Sequence, residues 1–231
     1  MRKPSNQLGN KMFIINCKNY DEIAGDKIIK IAKISEKVSR KYKVPIAIAP
    51  PHHLIPLITK FKITVLAQHV DDKKVGSTTG FMVPEIVKKS KINGSIINHS
   101  EHRISEKEII SLIKRLKKLK LKTVLCVKNV NEAKKYAKLN PTFIAIEPPE
   151  LIGTGRAIST EKPALITNAV KAVSSAKNST KLLCGAGIVS GQDVSKAKEL
   201  GSRGILVASG IVKAKNWEKI ISEFCKGLKS Q

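Results

Sequence analysis

Acidic residues are in short supply. The chain has 18 Asp and Glu against 43 Lys and Arg, a net charge of +25. Aromatic residues are also few, at 4%, so aliphatic side chains must fill any core. Their scarcity removes the interleaved rings on which single-stranded nucleic acid stacks, and few of the basic residues are arginine. Lysines are spread over nearly every amphipathic stretch, which suits solubility and the steering of an anionic substrate. No specific nucleic-acid partner is therefore expected, although charge alone keeps that alternative in view. No cysteine pair has CxxC spacing: Cys17, Cys126, Cys184 and Cys225 are scattered, three of them in or at the end of apolar runs. That argues against a disulfide frame or a zinc site and for buried thiols in a reducing compartment, the cytoplasm. No apolar run reaches the length of a membrane span, so no membrane partner is expected. The apolar run in the basic opening is too short for a signal peptide. No Gly-x-Gly-x-x-Gly follows the first apolar run, which lowers the case for dinucleotide binding.

What is present is an alternation. Short apolar runs stand at Met12–Cys17, Val44–Ala49, Ile63–Ala67, Gly94–Asn98, Leu121–Val127, Thr142–Ile146, Lys181–Cys184 and Gly204–Val207. Each reads as a strand buried on both faces. Between them lie helical patterns: Asp26–Tyr42, Ser105–Leu119 opening on a Ser-Glu-Lys-Glu capping box, Asn131–Leu139, Thr160–Ala176, Gln192–Leu200 before Gly201, and Trp217–Leu228. Pro51–Ile58 and Pro84–Lys89 are weaker. Strand and helix in strict turn predict an α/β fold with a parallel sheet. Eight such units in 231 residues fit a closed (β/α)8 barrel better than an open sheet. The reading is a polar extension over 1–11, expected to fray, ahead of a single catalytic domain over 12–231.

In such a barrel the strand C-termini carry the chemistry. The first run ends Asn16-Cys17-Lys18, the fourth Asn98-His99-Ser100-Glu101, the sixth Glu147, the seventh Gly185-Ala186-Gly187 and the eighth Ala208-Ser209-Gly210. A carboxylate can take a proton from carbon beside a carbonyl. An imidazole and an ammonium can hold the charge that then grows on oxygen. Glycine-rich turns after the last two strands offer N–H groups to a phosphate.

These strings, with the lid segment Glu147-Pro148-Pro149-Glu150-Leu151-Ile152-Gly153-Thr154-Gly155, resemble triosephosphate isomerase, in its compact archaeal form. The resemblance runs from about Met12 to the last helix. It implies a TIM barrel that interconverts dihydroxyacetone phosphate and D-glyceraldehyde 3-phosphate through an enediolate, in glycolysis and gluconeogenesis, with no metal or organic cofactor. Carried over by position, Glu147 is the base and His99 the neutral electrophile. Lys18 and Asn16 supply charge and a hydrogen bond at the oxyanion, and Glu101 orients its neighbours from behind. Ile152 and Gly153 of the lid, with Gly187, Ala208 and Ser209, bind the phosphate. The resemblance also implies a homodimer or homotetramer built through the protruding Gln68–Gly80 loop, with Thr79 near the partner's site. Departures are Gly187 where many relatives have Ser, Ala208-Ser209 where they have Gly-Gly, His102 for a frequent Arg, and Pro149-Glu150-Leu151 in the lid. His52 and His53, and His69 with Asp71 and Asp72, look like metal ligands in isolation. They read better as loop and subunit-contact residues. A sugar-phosphate epimerase or related barrel would share the phosphate turns but would not need Lys18, His99 and Glu147 together.

Overall fold

Branched aliphatic side chains are crowded in a helix and relaxed on an extended backbone. The eight runs accordingly form β1 (Met12–Asn16), β2 (Ile46–Ala49), β3 (Thr64–Ala67), β4 (Gly94–Ile97), β5 (Lys122–Val127), β6 (Phe143–Ile146), β7 (Lys181–Cys184) and β8 (Gly204–Val207). In the computed structural model, which describes residues 11–229, they run parallel and close in chain order into a barrel. β8 returns to β1 in the register Met12 with Gly204 and Phe13 with Ile205. The expected (β/α)8 barrel is the fold.

The helices are α1 (Lys27–Tyr42), α2 (Ile55–Ile58), α3 (Pro84–Lys89), α4 (Glu106–Lys118), α5 (Val130–Ala137), α6 (Ile158–Glu161), α7 (Pro163–Ser174), α8 (Gly191–Glu199), α9 (Ser209–Val212) and α10 (Trp217–Lys229). The capping box before α4 forms: Ser105 Oγ accepts the Glu108 N–H, and Glu108 accepts the Ser105 N–H at 2.9 Å. One expectation fails. The single helix over Thr160–Ala176 is two, α6 and α7, parted at Lys162 with φ −138° and ψ 56°. Pro163 causes the break, because its ring excludes helical backbone for the residue before it and then starts a new helix in its own favoured first position. The extension over 1–11 lies outside the described residues except for Lys11. Its ammonium donates to the Leu228 carbonyl at 2.9 Å.

Strand alternation divides the interior in two. Met12, Ile14, Ala47, Leu66, Ile96, Val124, Phe143, Ala145, Leu183 and Leu206 fill the barrel. Their sequence neighbours, such as Phe13, Ile15, Ile48, Leu125 and Ile144, pack outward against the helices. Each fully buried Ile or Leu contributes roughly 1.5–3 kcal/mol, so both layers resist a one-residue slip, which would exchange them. All four cysteines are buried and unpaired. Burial pushes the Cys17 and Cys184 thiols up to about 12. Among the described residues no helix is long and apolar enough to cross a membrane.

Candidate active site

The mouth of the barrel is built from strand ends whose backbone is held in unusual conformations. Lys18 follows β1 with a left-handed φ of 45°, which costs an L-residue about 1–2 kcal/mol. Its N–H donates to Asn16 Oδ1 at 3.1 Å. Gln68 Nε2 donates to its carbonyl at 2.9 Å and to that of Ala49 at 3.1 Å. Those bonds fix the residue against its strain. Its ammonium then meets Glu101 Oε1 at 2.6 Å.

Asn98 repeats the device after β4. Its φ is 58°. Its side chain donates to the Cys126 carbonyl at 2.9 Å and accepts the Ile104 N–H at 3.2 Å. The end of β4 is thereby tied to β5 and to the entry of α4, and the next residue, His99, is set in the mouth with only 7% exposure. The Glu101 N–H donates to His99 Nδ1 at 3.2 Å. A ring nitrogen that accepts a hydrogen bond carries no proton, so this contact selects the neutral imidazole with its proton on Nε2. Nε2 lies 3.6 Å from Glu147 Oε1.

Glu147 closes β6 and is 3% exposed. Its Oε2 is buried, and no hydrogen bond reaches it among the described residues. A buried carboxylate oxygen without a partner is costly. Cys126 lies against it; burial, then the Glu147 charge, pushes that thiol well above its ordinary value. Gly185 faces the same carboxylate, and a Cβ there would stand 2.5 Å from Glu147 Cγ. The two glycine turns fit as tightly. At Gly187, φ is 68° and a Cβ would overlap the Arg156 carbonyl oxygen at 1.8 Å. The β7 turn therefore packs directly on the end of the lid.

That lid leaves β6 through Pro148, makes one 3-10 turn over Pro149–Leu151, and becomes extended at Ile152. Gly153 and Gly155 take φ values of 75° and 73°. Thr154 Oγ1 donates to the Leu151 carbonyl at 2.9 Å and accepts the Arg156 N–H at 3.1 Å. Ion pairs join Glu150 to Lys162 and Arg156 to Glu161.

One pocket is lined by Asn16, Lys18, His99, Glu147, Ile152, Gly153, Gly187, Ala208 and Ser209 together. Glu101 is the exception among the expected site residues. Its side chain is 57% exposed, and it lines the adjoining cleft beside Lys18 instead of standing behind the pocket. A carboxylate, an imidazole and an ammonium thus converge from three strand ends beside the turns after β7 and β8. A family model described as Triosephosphate isomerase matches residues 11–224. The chain belongs to the triosephosphate isomerase family. A triosephosphate isomerase of Cenarchaeum symbiosum is 52% identical over 94% of this chain and 97% of its own length. One of Methanocaldococcus jannaschii is 43% identical over 93% of this chain and 99% of its own. One of Methanothermus fervidus is 40% identical over 92% and 96%. The chain is accordingly an isomerase of a triose phosphate, with the place in glycolysis that follows from the family.

Three further residues shape this triosephosphate isomerase site without advertising themselves in the sequence. Gln68 and Asn98 hold the two left-handed strand ends, and Tyr20 lines the pocket. Only Asn98 offered a hint, as a polar residue ending an apolar run. The metal-like histidines have other work. His52 Nε2 accepts the His69 N–H at 3.3 Å, and His69 stacks on His102 with ring centres 3.9 Å apart. Asp71 accepts the Met82 N–H at 2.7 Å. Arg115 joins Asp72 at 3.2 Å and Glu85 at 2.5 Å. The neck of the Gln68–Gly80 loop is closed by these contacts.

Proposed function

We propose that the family reaction runs here on Glu147, His99 and Lys18. The observation that carries this reading is the approach of Glu147 Oε1 to within 3.6 Å of His99 Nε2 in the pocket that Lys18 also lines. The triose lies in that pocket against both the carboxylate and the imidazole. Glu147 takes the proton from the carbon beside the carbonyl. His99 Nε2–H hydrogen-bonds the oxygen on which charge develops, and the Lys18 ammonium and Asn16 stabilise the resulting enediolate. His99 gives its Nε2 proton to that oxygen and takes the proton of the neighbouring hydroxyl, and Glu147 then returns its proton to the former carbonyl carbon, which exchanges ketose for aldose without net change. Gly187, Ala208, Ser209, Ile152 and Gly153 present main-chain groups to the phosphate. The family is itself a standard case of a lid that closes to shield such an intermediate from water. Glu101 tunes Lys18 and His99 from the rim.

The catalytic unit is the single domain over 12–231. It works in the cytoplasm and reads no nucleic-acid sequence. It assembles as a homodimer or homotetramer through the Gln68–Gly80 loop, where Val75 is 55% exposed, and the adjoining Phe81, 45% exposed, would be covered by a second copy. A coupled assay with glyceraldehyde 3-phosphate tests the chemistry. Glu147→Ala is expected to stay folded and to lose about 10²–10⁴-fold in kcat. Near-normal turnover would remove Glu147 as the base, whatever the family.

A further inference from the structure

The charge of this protein is not evenly placed. The connections that lead from helix to strand, on the barrel face opposite the active site, are residues 43–45, 59–63, 90–93, 119–121, 138–142, 175–180 and 200–203. They carry Lys43, Lys60, Lys62, Lys91, Lys120 and Lys177 among other basic residues, and among the described residues none contains Asp or Glu. Many of the acids stand at the other end, in first helical turns and strand-to-helix loops: Asp21, Glu85, Glu106, Glu132, Asp193 and Glu218, for example; Glu36, whose Oε1 accepts the Lys62 N–H at 2.7 Å, and Glu199, which ends α8, are acids at the connection side. Among the described residues, every ion pair of a lysine uses Lys18, Lys37, Lys128, Lys135 or Lys162, and none uses a lysine of the far-face connections.

Helix dipoles favour cations at helix C-termini, but they do not explain the backbone. Lys43, Lys91, Lys120 and Lys177 follow their helices with left-handed φ values of 53°, 62°, 57° and 50°. Glycine is the usual residue at such a cap, because a Cβ is strained there. This fold uses glycine at the same turn once, at Gly201, φ 98°. The hydrogen bonding around Gly201 and Lys120 is the same. Gly201 N–H donates to Lys198 O at 2.9 Å and Ser202 N–H to Ala197 O at 3.1 Å; Lys120 N–H donates to Lys117 O at 2.9 Å and Leu121 N–H to Leu116 O at 2.8 Å. So lysine stands where glycine would serve the fold better, and it does so repeatedly on one face.

We propose that the helix-to-strand face of the barrel is a docking surface for the phosphate backbone of duplex nucleic acid, bound without regard to sequence. Each feature narrows the partner. A disc of unpaired ammonium groups attracts a regular polyanion through counterion release. The connections hold one aromatic ring, Phe61, which is partly buried against the core, so they offer no row of exposed rings of the kind that stacks single strands. None of the large exposed apolar residues, Leu57, Val75, Phe81, Ile86 and Val189, lies in these connections, so nothing there enters a lipid layer as a membrane-binding face requires. Lysine, with few arginines, gives charge without the bidentate fork that reads bases. The active-site mouth and the Gln68–Gly80 loop are at the other end, so catalysis and docking do not compete.

Fluorescence anisotropy with a labelled random-sequence DNA duplex, the matching RNA duplex, the single strand, and vesicles of anionic phosphatidylglycerol tests this. The whole protein is expected to bind both duplexes more tightly than the single strand or the vesicles, with affinity falling steeply as salt rises. The quadruple variant Lys43→Gly, Lys91→Gly, Lys120→Gly, Lys177→Gly is expected to lose at least about tenfold in duplex affinity. Its log–log salt slope should fall by about 0.9 for each lost phosphate contact, and isomerase activity should be unchanged. A matched Lys→Gln set at these four positions keeps the long side chains and should behave alike if the glycines perturb folding. A control set at exposed helical lysines, Lys30, Lys33, Lys107 and Lys219 →Gln, should keep most of the affinity. The proposal is overturned if the wild type fails to bind duplex at low salt, if the control set loses as much as the turn set, or if the vesicles bind more tightly than the duplexes.

Discussion

The two ends of this barrel use the same rare backbone conformation in opposite ways. At the mouth, Lys18 and Asn98 are left-handed and pinned by bonds from Asn16, Gln68, Cys126 and Ile104. At the far face Lys43, Lys91, Lys120 and Lys177 are left-handed and exposed. Lys120 and Lys177 are held by ordinary helix-ending hydrogen bonds, to the Lys117 and Ser174 carbonyls. Strain at the mouth is over-determined because side-chain position decides the chemistry. Strain at the far face is tolerated, and no geometry of the site depends on it. The difference separates residues whose conformation matters from residues whose charge is what remains to be explained.

The sharpest way to break that contrast is Gly187→Ala. The new Cβ would fall on the Arg156 carbonyl, so the β7 turn or the lid must move. Overpacking of this kind costs about 3 kcal/mol, and kcat/KM should fall by about 10²-fold through displaced phosphate contacts. Thermal melting and steady-state kinetics would read both, and a variant with normal KM would separate the turn from the phosphate.

Asn98→Ala comes next. It removes two hydrogen bonds and places alanine at a left-handed φ, a loss of about 2–3 kcal/mol. Because His99 is the next residue, kcat should drop more than KM rises. An equal effect on both would mean that Asn98 supports only the fold.

Acidification probes the histidines at the neck of the Gln68–Gly80 loop. Burial first, and then neighbouring histidines, hold His52 and His69 below the ordinary imidazole value, against a smaller opposing effect of Asp71. The unfolded chain therefore binds protons at a higher pH than the folded one does. Stability is full above the unfolded imidazole range, near pH 6.5, and declines as pH falls from there toward the lowered folded values. Melting temperature against pH should show this decline, and His69→Gln should flatten it. A profile level through this range would remove these residues as the titrating pair.

The smallest effect belongs to the far face. Lys120→Gly relieves a left-handed Cβ but adds chain entropy to the unfolded state, so stability should rise by only about 0.5 kcal/mol. A loss of more than 1 kcal/mol on denaturant unfolding, by this order-of-magnitude reckoning, would show that Lys120 is built in as firmly as Lys18.

Much of the site was legible because polar residues at strand ends stand out against apolar runs. Asn16, Lys18, His99 and Glu147 were readable in that way, and Gly187 by its place in a glycine turn. Gln68 was not, because it reaches Lys18 across fifty residues of sequence. Glu101 was readable as a member of the His-Ser-Glu string, but not its exposure, which depends on how the loop after β4 leaves the barrel. The break at Lys162 was written in Pro163 and overridden in the reading by the longer apolar period around it.

By itself, the sequence determined the element order, the two-layer alternation of each strand and the positions of the reactive groups along the chain. These follow from side-chain shape, hydropathy period and local backbone preference, which act over a few residues. Only the closed barrel decided that an ammonium, an imidazole and a carboxylate from β1, β4 and β6 share one pocket. It also decided that the helix-to-strand connections, which carry lysines and no acid among the described residues, share one face. Convergence of groups far apart in sequence depends on sheet closure and register, and no local interaction specifies either.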